Sequence, residues 1–202
     1  MVSVGETVAT IRAGELVVIP TDTVYGLACT PYYEYAARTL SALKGRAAGQ
    51  PIALVAASLE WLFECVPELR GRAGIVARAL LPGPYTLVFP NPARRYPWLT
   101  GDRPDTIGVR VPRVEGLAAE VLDAVGAVAA TSANRHGDAD PRRLEDVPRE
   151  IRNAVAVVVD GGELPGTPST VLDLTGPKAL VLREGAVPGP EALARLAAAL
   201  EV

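Results

Sequence analysis

Thr21 and Thr23 sit two residues apart in Ile19-Pro-Thr-Asp-Thr-Val-Tyr-Gly-Leu27, at the end of the apolar run Leu16-Val-Val-Ile19. Residues two apart on an extended chain face the same way, and a hydroxyl both donates and accepts. The pair can therefore line one wall of a polar pocket. The plainer reading is that Pro-Thr-Asp ends a strand and caps a helix. As the turn of a mere hairpin the segment reads poorly. Lys44 and Arg46 flank Gly45 after a helical stretch. A fork-shaped guanidinium and a point-charge ammonium suit a polyphosphate. An ordinary helix C-cap, with Gly45 left-handed, accounts for the glycine and one of the two cations. Arg110 interrupts the apolar run Ile107-Gly-Val-Arg-Val-Pro112. It either alternates outward to solvent or faces inward, where it needs an anion because an unpaired buried charge is too costly.

Ala129-Ala-Thr-Ser-Ala-Asn134 repeats the opening design. It is a small-residue strand that lets a ligand approach the backbone, ending in the hydroxyl of Ser132 and the amide of Asn134. Asn134 also fits an Asx turn. Ser169, Thr170 and Arg183 add hydroxyls and a cation near two later strands. Polar groups at successive strand ends describe a ligand crevice in an α/β sheet. The chain has no phosphate-loop, dinucleotide-binding or nucleophile-elbow motif. With a single histidine, His136, in a polar loop, histidine-pair mechanisms are ruled out. Hydroxyls, Lys and Arg without His or Cys fit charge stabilisation better than covalent catalysis.

The elements that must position these residues follow from periodicity. Strands are predicted at 16–19, 52–55, 85–89, 107–111, 127–130, 154–159, 169–174 and 179–182. Helices are predicted at 4–13, 33–43, 59–65, 74–80, 114–125, 143–153 and 191–200. This alternation makes an α/β domain. No helix separates 85–89 from 107–111, or 169–174 from 179–183, so hairpin-like connections and a mixed sheet are expected. No repeat or linker divides residues 1–202, which read as a single domain.

Composition bounds the function. A chain of 202 residues with a formal charge of −3 argues against broad nonspecific nucleic-acid binding, though not against a local basic cleft. Its apolar runs fall short of the ~20 residues of a membrane span, and the N-terminus lacks a signal-peptide layout, so a cytoplasmic protein with no membrane contact is expected. Cys29 and Cys65 are too few for a disulfide framework or a zinc site. Cys65 reads as core.

Taken together, these segments resemble the YrdC-like threonylcarbamoyl-AMP synthases. The resemblance is carried by residues 20–27, Lys44-Gly-Arg46, Pro82-Gly-Pro84 with Thr86, Val109-Arg-Val-Pro112, Ser132-Ala-Asn134, Ser169-Thr-Val171 and Arg183-Glu-Gly185. Their order and spacing make it specific, and it covers nearly the whole chain in the short, single-domain form. It implies a twisted mixed α/β sheet with flanking helices around a concave, positively charged cavity. The implied activity joins L-threonine, bicarbonate and ATP into L-threonylcarbamoyl-adenylate, releasing pyrophosphate. A tRNA threonylcarbamoyl transferase is the implied acceptor of the product, with weak direct tRNA contact as a further possibility. By position, Thr21, Thr23, Arg110, Ser132 and Ser169 fall to threonine, and Lys44, Arg46, Ala130, Asn134 and Arg183 to ATP. Lys44 and Arg46 are the implied catalytic pair. Mg²⁺ is expected with ATP, without a dedicated protein ligand set. Two segments depart from the family pattern: Ala47-Ala48-Gly49 after the basic pair, and Arg135-His-Gly-Asp-Ala-Asp140 after Asn134. Asp140 is therefore not assigned to ATP, and Ala47–Gln50 is the expected closing loop. Two other readings compete: an RNA-binding module using the same cleft, and a carbamoyl-adenylate-forming domain.

Overall fold

The structure is a computed structural model and describes residues 2–46 and 49–200. Helix α1 (Val4–Arg12) starts on Ser3, whose hydroxyl accepts from the Glu6 N–H. Strands β1 (Val17–Pro20) and β2 (Tyr25–Cys29) follow, then α2 (Glu34–Leu43), β3 (Ala53–Ala56), α3 (Leu59–Cys65) and α4 (Arg72–Leu80). Next come β4 (Tyr85–Pro90), β5 (Thr106–Arg110), α5 (Gly116–Val125), β6 (Ala127–Ser132) and α6 (Arg149–Ala154). The chain closes with β7 (Val157–Val158), β8 (Thr170–Asp173), β9 (Leu180–Arg183) and α7 (Gly189–Leu200).

The strands form one sheet in the order β7-β1-β2-β6-β3-β5-β4-β8-β9. It is mixed: β1–β7, β3–β5 and β4–β8 are parallel, and the other neighbours antiparallel. Both expected strand pairs are antiparallel neighbours, with Leu87 opposite Val109 and Asp173 opposite Leu180. The β4–β5 connection carries a short 3₁₀ turn at Pro97–Leu99, and no helix separates β8 from β9.

Three expectations need correction. Residues 25–29 form a strand that the sequence reading lacked, and Thr21–Val24 is the four-residue turn of a hairpin, with Pro20 paired to Tyr25. The segment neither caps a helix nor continues extended. All five residues of β2 are buried, so no polar alternation announced it. The helix predicted over 143–153 is broken by Pro148 into a 3₁₀ turn at Leu144–Asp146 and α6, because proline lacks the N–H that would continue the helix. Of the strand predicted at 154–159, only Val157 and Val158 join the sheet.

The two faces of the sheet are covered unequally. Leu27, Leu54, Leu87, Val109, Ala129 and Leu172 point to one face, where α2, α3, α4 and α7 build the larger core. On the other face α1 and α5 pack over Val17, Ile19, Ala28 and Val128. These two helices cover the β7-β1-β2-β6 half. The β3-β5-β4-β8-β9 half of that face is left concave.

Candidate active site

A cavity of about 450 Å³ opens on that uncovered half-face, a size typical of small-molecule sites. Its floor follows the period-two alternation of the strands: Ala53 and Val55 on β3, Gly108 on β5, Val88 on β4, Val171 on β8 and Ala130 on β6. Small residues make it deep. A Cβ added at Gly108 would meet only the Thr86 methyl, at 3.8 Å. The polar residues were expected at strand ends, and they lie there: Thr21 follows β1, Arg110 ends β5, Ser132 ends β6, Ser169 precedes β8 and Arg183 ends β9.

At one wall, the Thr21 hydroxyl donates to the Val24 carbonyl at 2.8 Å and accepts from the Thr23 N–H at 3.2 Å, closing the β1–β2 turn. Thr21 lines the cavity. Thr23 is fully buried behind it, 3.1 Å from it hydroxyl to hydroxyl. Arg110 faces inward, 9% exposed. Its Nη2 donates to the Thr23 hydroxyl at 2.8 Å and to Asp22 Oδ1, and its Nε is buried with no partner. The anion that an inward Arg110 requires is thus already supplied by Asp22, a residue the sequence reading left without a role.

Along the opposite side, Ser169 and Thr86 share a hydrogen bond of 2.8 Å across β8 and β4. Arg183 donates through Nη2 to the Ser169 carbonyl at 2.8 Å and to its hydroxyl at 3.1 Å. Arg46 donates to the Gln50 side chain and the Pro51 carbonyl, each at 3.1 Å. The cavity is lined by Arg46, Arg103, Arg110 and Arg183, with Asp102 as the one lining carboxylate among the described residues. Arg103 pairs with Asp173 and Arg110 with Asp22. Arg46 and Arg183 form no ion pair among the described residues; their bonds go to neutral oxygens. Burial pulls the Arg46 guanidinium below its ordinary value, and the charge of Arg183 adds to that. Burial also lowers the Arg183 guanidinium, with Asp140 opposing and Arg110 adding to the effect. Cations gathered in one partly desolvated cavity suit an anion.

Lys44 lies elsewhere. Its Nζ is buried among the carbonyl and hydroxyl of Ser132 and the carbonyl and side-chain oxygen of Asn134. It does not line the cavity. Burial first, then Arg46, lower its ammonium from 10.5 to about 8, opposed by Asp140 and Asp138. The Asn134 side chain is also committed: Oδ1 accepts from Lys44 and from the Ser132 hydroxyl, and Nδ2 donates to the Asp138 carbonyl. Ser132 and Ala130 remain on the lining. Gly45 takes the left-handed conformation (φ +64°) of the helix-cap reading. The Arg46 N–H reaches the Ser41 carbonyl and the Gly45 N–H that of Ala42, a Schellman cap. That cap turns Lys44 toward the 132–134 loop and Arg46 into the cavity.

Of the expected site residues, the cavity therefore collects Thr21, Arg46, Arg110, Ala130, Ser132, Ser169 and Arg183. Thr23, Lys44 and Asn134 stand one layer behind. Ala47 and Ala48 of the expected closing loop lie outside the described residues. His136 is exposed, as its loop context suggested, and both cysteines are buried. Besides Asp22, sequence reasoning gave no role to Tyr25. Its buried hydroxyl accepts from the Gly161 N–H and donates to the Gly162 carbonyl, tying the hairpin to a loop far along the chain. A tyrosine inside a buried strand next to the paired threonines was the available signal. No group of three or more His, Cys, Asp or Glu side chains suited to a metal occurs among the described residues, nor a helix long and apolar enough to cross a membrane.

Comparison with known proteins adds the remaining findings. A family model named Sua5_yciO_yrdC and described as telomere recombination matches residues 9–185. A threonylcarbamoyl-AMP synthase of Pyrococcus abyssi is 36% identical over 180 residues, covering 88% of this chain and 52% of that protein. One from Stenotrophomonas maltophilia is 35% identical over 160 residues, covering 76% of this chain and 83% of that protein. The solved structure of P. abyssi Sua5 complexed with L-threonine matches with a TM-score of 0.86 at 33% identity, covering 96% of this chain and 58% of that one. The chain thus spans about half the length of its Pyrococcus relative.

Proposed function

The chain belongs to the Sua5, YciO and YrdC family, and from that membership we propose that it joins L-threonine, bicarbonate and ATP into L-threonylcarbamoyl-adenylate and pyrophosphate. One observation of the site carries the reading. A single cavity holds an arginine already neutralised by a buried carboxylate, beside two arginines with no ion-pair partner among the described residues. The first suits a zwitterionic amino acid, whose single carboxylate needs a directed donor. The others suit the accumulated charge of a triphosphate.

On this reading Arg110 donates from Nη1 to the threonine carboxylate, and the hydroxyls of Thr21, Ser132 and Ser169 surround the rest of the amino acid. The solved Pyrococcus relative is a complex with L-threonine, which supports this half of the site. Arg46 and Arg183 hold the phosphates, and Ala130 leaves the β6 backbone open to the nucleotide. Lys44 and Asn134 shape the loop that carries Ser132. The threonine amine attacks bicarbonate with loss of water, or CO₂ with loss of a proton, giving a carbamate whose oxygen attacks the α-phosphorus, and pyrophosphate leaves with the bonding pair. Nothing in this sequence needs a protein nucleophile. The protein aligns three reactants and stabilises the charge that builds on the phosphates. Mg²⁺ would enter on the ATP it accompanies and share the neutralisation of the phosphates. The adenylate would pass to a threonylcarbamoyl transferase acting on tRNA.

Pyrophosphate release, followed with each substrate omitted in turn, tests this. Release is expected only with ATP, bicarbonate and L-threonine together. Release that ignores threonine, or none at all, contradicts it.

A further inference from the structure

Asp22 sits where two parts of the chain meet. Its Oδ1 accepts from Arg110 Nη2, and its Oδ2 accepts from the Arg113 backbone N–H at 3.0 Å. One carboxylate thereby ties the β1–β2 turn to the stretch leaving β5. Both charged side chains are 10% exposed. Thr23, the next residue on the same turn, supplies the second acceptor on Nη2 at 2.8 Å. With Nη2 held from this side, Arg110 has no partner on Nη1 among the described residues, and it lines the cavity while Asp22 does not.

We propose that Asp22 is the positioning residue for recognition of the substrate carboxylate: it fixes the Arg110 guanidinium through Nη2 so that Nη1 is left to the cavity. This rests on the reading of the cavity as an amino-acid site and adds to it a residue that acts only through Arg110. Simple electrostatics argues the other way. A fixed carboxylate beside Arg110 weakens the attraction of that cation for a second carboxylate. Geometry outweighs this, because an arginine has several torsions to order and a directed hydrogen bond tolerates little misplacement. A guanidinium released from Asp22 would also turn Nη2 to the nearest backbone oxygens, since most buried donors find a partner.

The opposing signs make the test decisive. Steady-state pyrophosphate release is measured for Asp22→Asn and Thr23→Val in the full chain, varying threonine at saturating ATP and then the reverse. Asparagine removes the charge and places an amide N–H where an acceptor is needed. Valine removes one acceptor with little change of shape, and carries the test alone if Asp22→Asn does not fold. Asp22→Asn is expected to raise the KM for L-threonine by about tenfold or more while the KM for ATP stays within about twofold. Thr23→Val is expected to raise the threonine KM by about threefold, again without moving ATP. An unchanged threonine KM overturns the proposal. A lower one overturns it too and marks Asp22 as a competitor of the substrate. Equal loss toward both substrates shows a general structural role and is equally contrary. Failure of the proposed function is distinguishable: the unaltered protein would then show no threonine-dependent release, and both readings fall together.

Discussion

Lys44 directs its ammonium at the protein, where oxygens of Ser132 and Asn134 surround it. The pH dependence of stability follows from that. Burial, then Arg46, lower the group from 10.5 to about 8. Below pH 8 folded and unfolded chains both hold the proton, so the contribution of Lys44 to stability does not vary. Between the two values the unfolded chain binds more protons than the folded one, and the contribution of Lys44 rises with pH. Urea unfolding of the unaltered protein and of Lys44→Met, at about pH 7.5 and about pH 9.5, is expected to show their difference shifting in favour of the unaltered chain at the higher pH. A difference independent of pH would mean that the ammonium is not desolvated in the fold. At this scale, what was readable from the sequence was local. Gly45 and its cap were legible because the motif closes within a few residues. Arg110 was legible as a charge needing an anion if it faced inward. Its partner Asp22 lies 88 residues away, and no spacing in one sequence pairs them.

Strand β5 shows how an element makes the cavity. Thr106, Gly108 and Arg110 alternate onto the concave face, while Ile107 and Val109 enter the core. Glycine in a strand interior lacks a side chain to pack and weakens the strand. The space above Gly108 is open, so a larger residue would extend into the cavity and not into protein. Gly108→Val is therefore expected to raise stability by about 0.5 kcal/mol through better strand propensity. It should also weaken binding of both ATP and threonine, read by thermal unfolding and by calorimetric titration. Intact binding in a stabilised variant would place the ligands elsewhere. Most elements were legible from periodicity, and α3 (Leu59–Cys65) matches its predicted bounds. Strand β2 was not, because burial on both faces erases the alternation that identifies a strand, and the polar turn before it read as a pocket wall or a cap. It is a hairpin turn whose Thr21 also lines the cavity.

In the whole molecule, an acidic chain of net charge −3 gathers four arginines around one concave half-face. Helices α1 and α5 cover the rest of that face, and the remaining helices build the larger core behind it. The sequence showed polar residues converging at strand ends, where the cavity collects them, but not on which half-face of the sheet. The location depends on which strands two helices cover, a property of sheet order that local patterns do not carry. The central claim is that this one cavity brings an amino acid and ATP together for condensation through bicarbonate. The most direct test is the mass of the nucleotide product formed from L-threonine, ATP and ¹³C-labelled bicarbonate. A threonylcarbamoyl-adenylate one mass unit heavier than its unlabelled form is the expected result, formed with stoichiometric pyrophosphate. An adenylate of threonine lacking the labelled carbon, or no adenylate despite bound ATP, would contradict it.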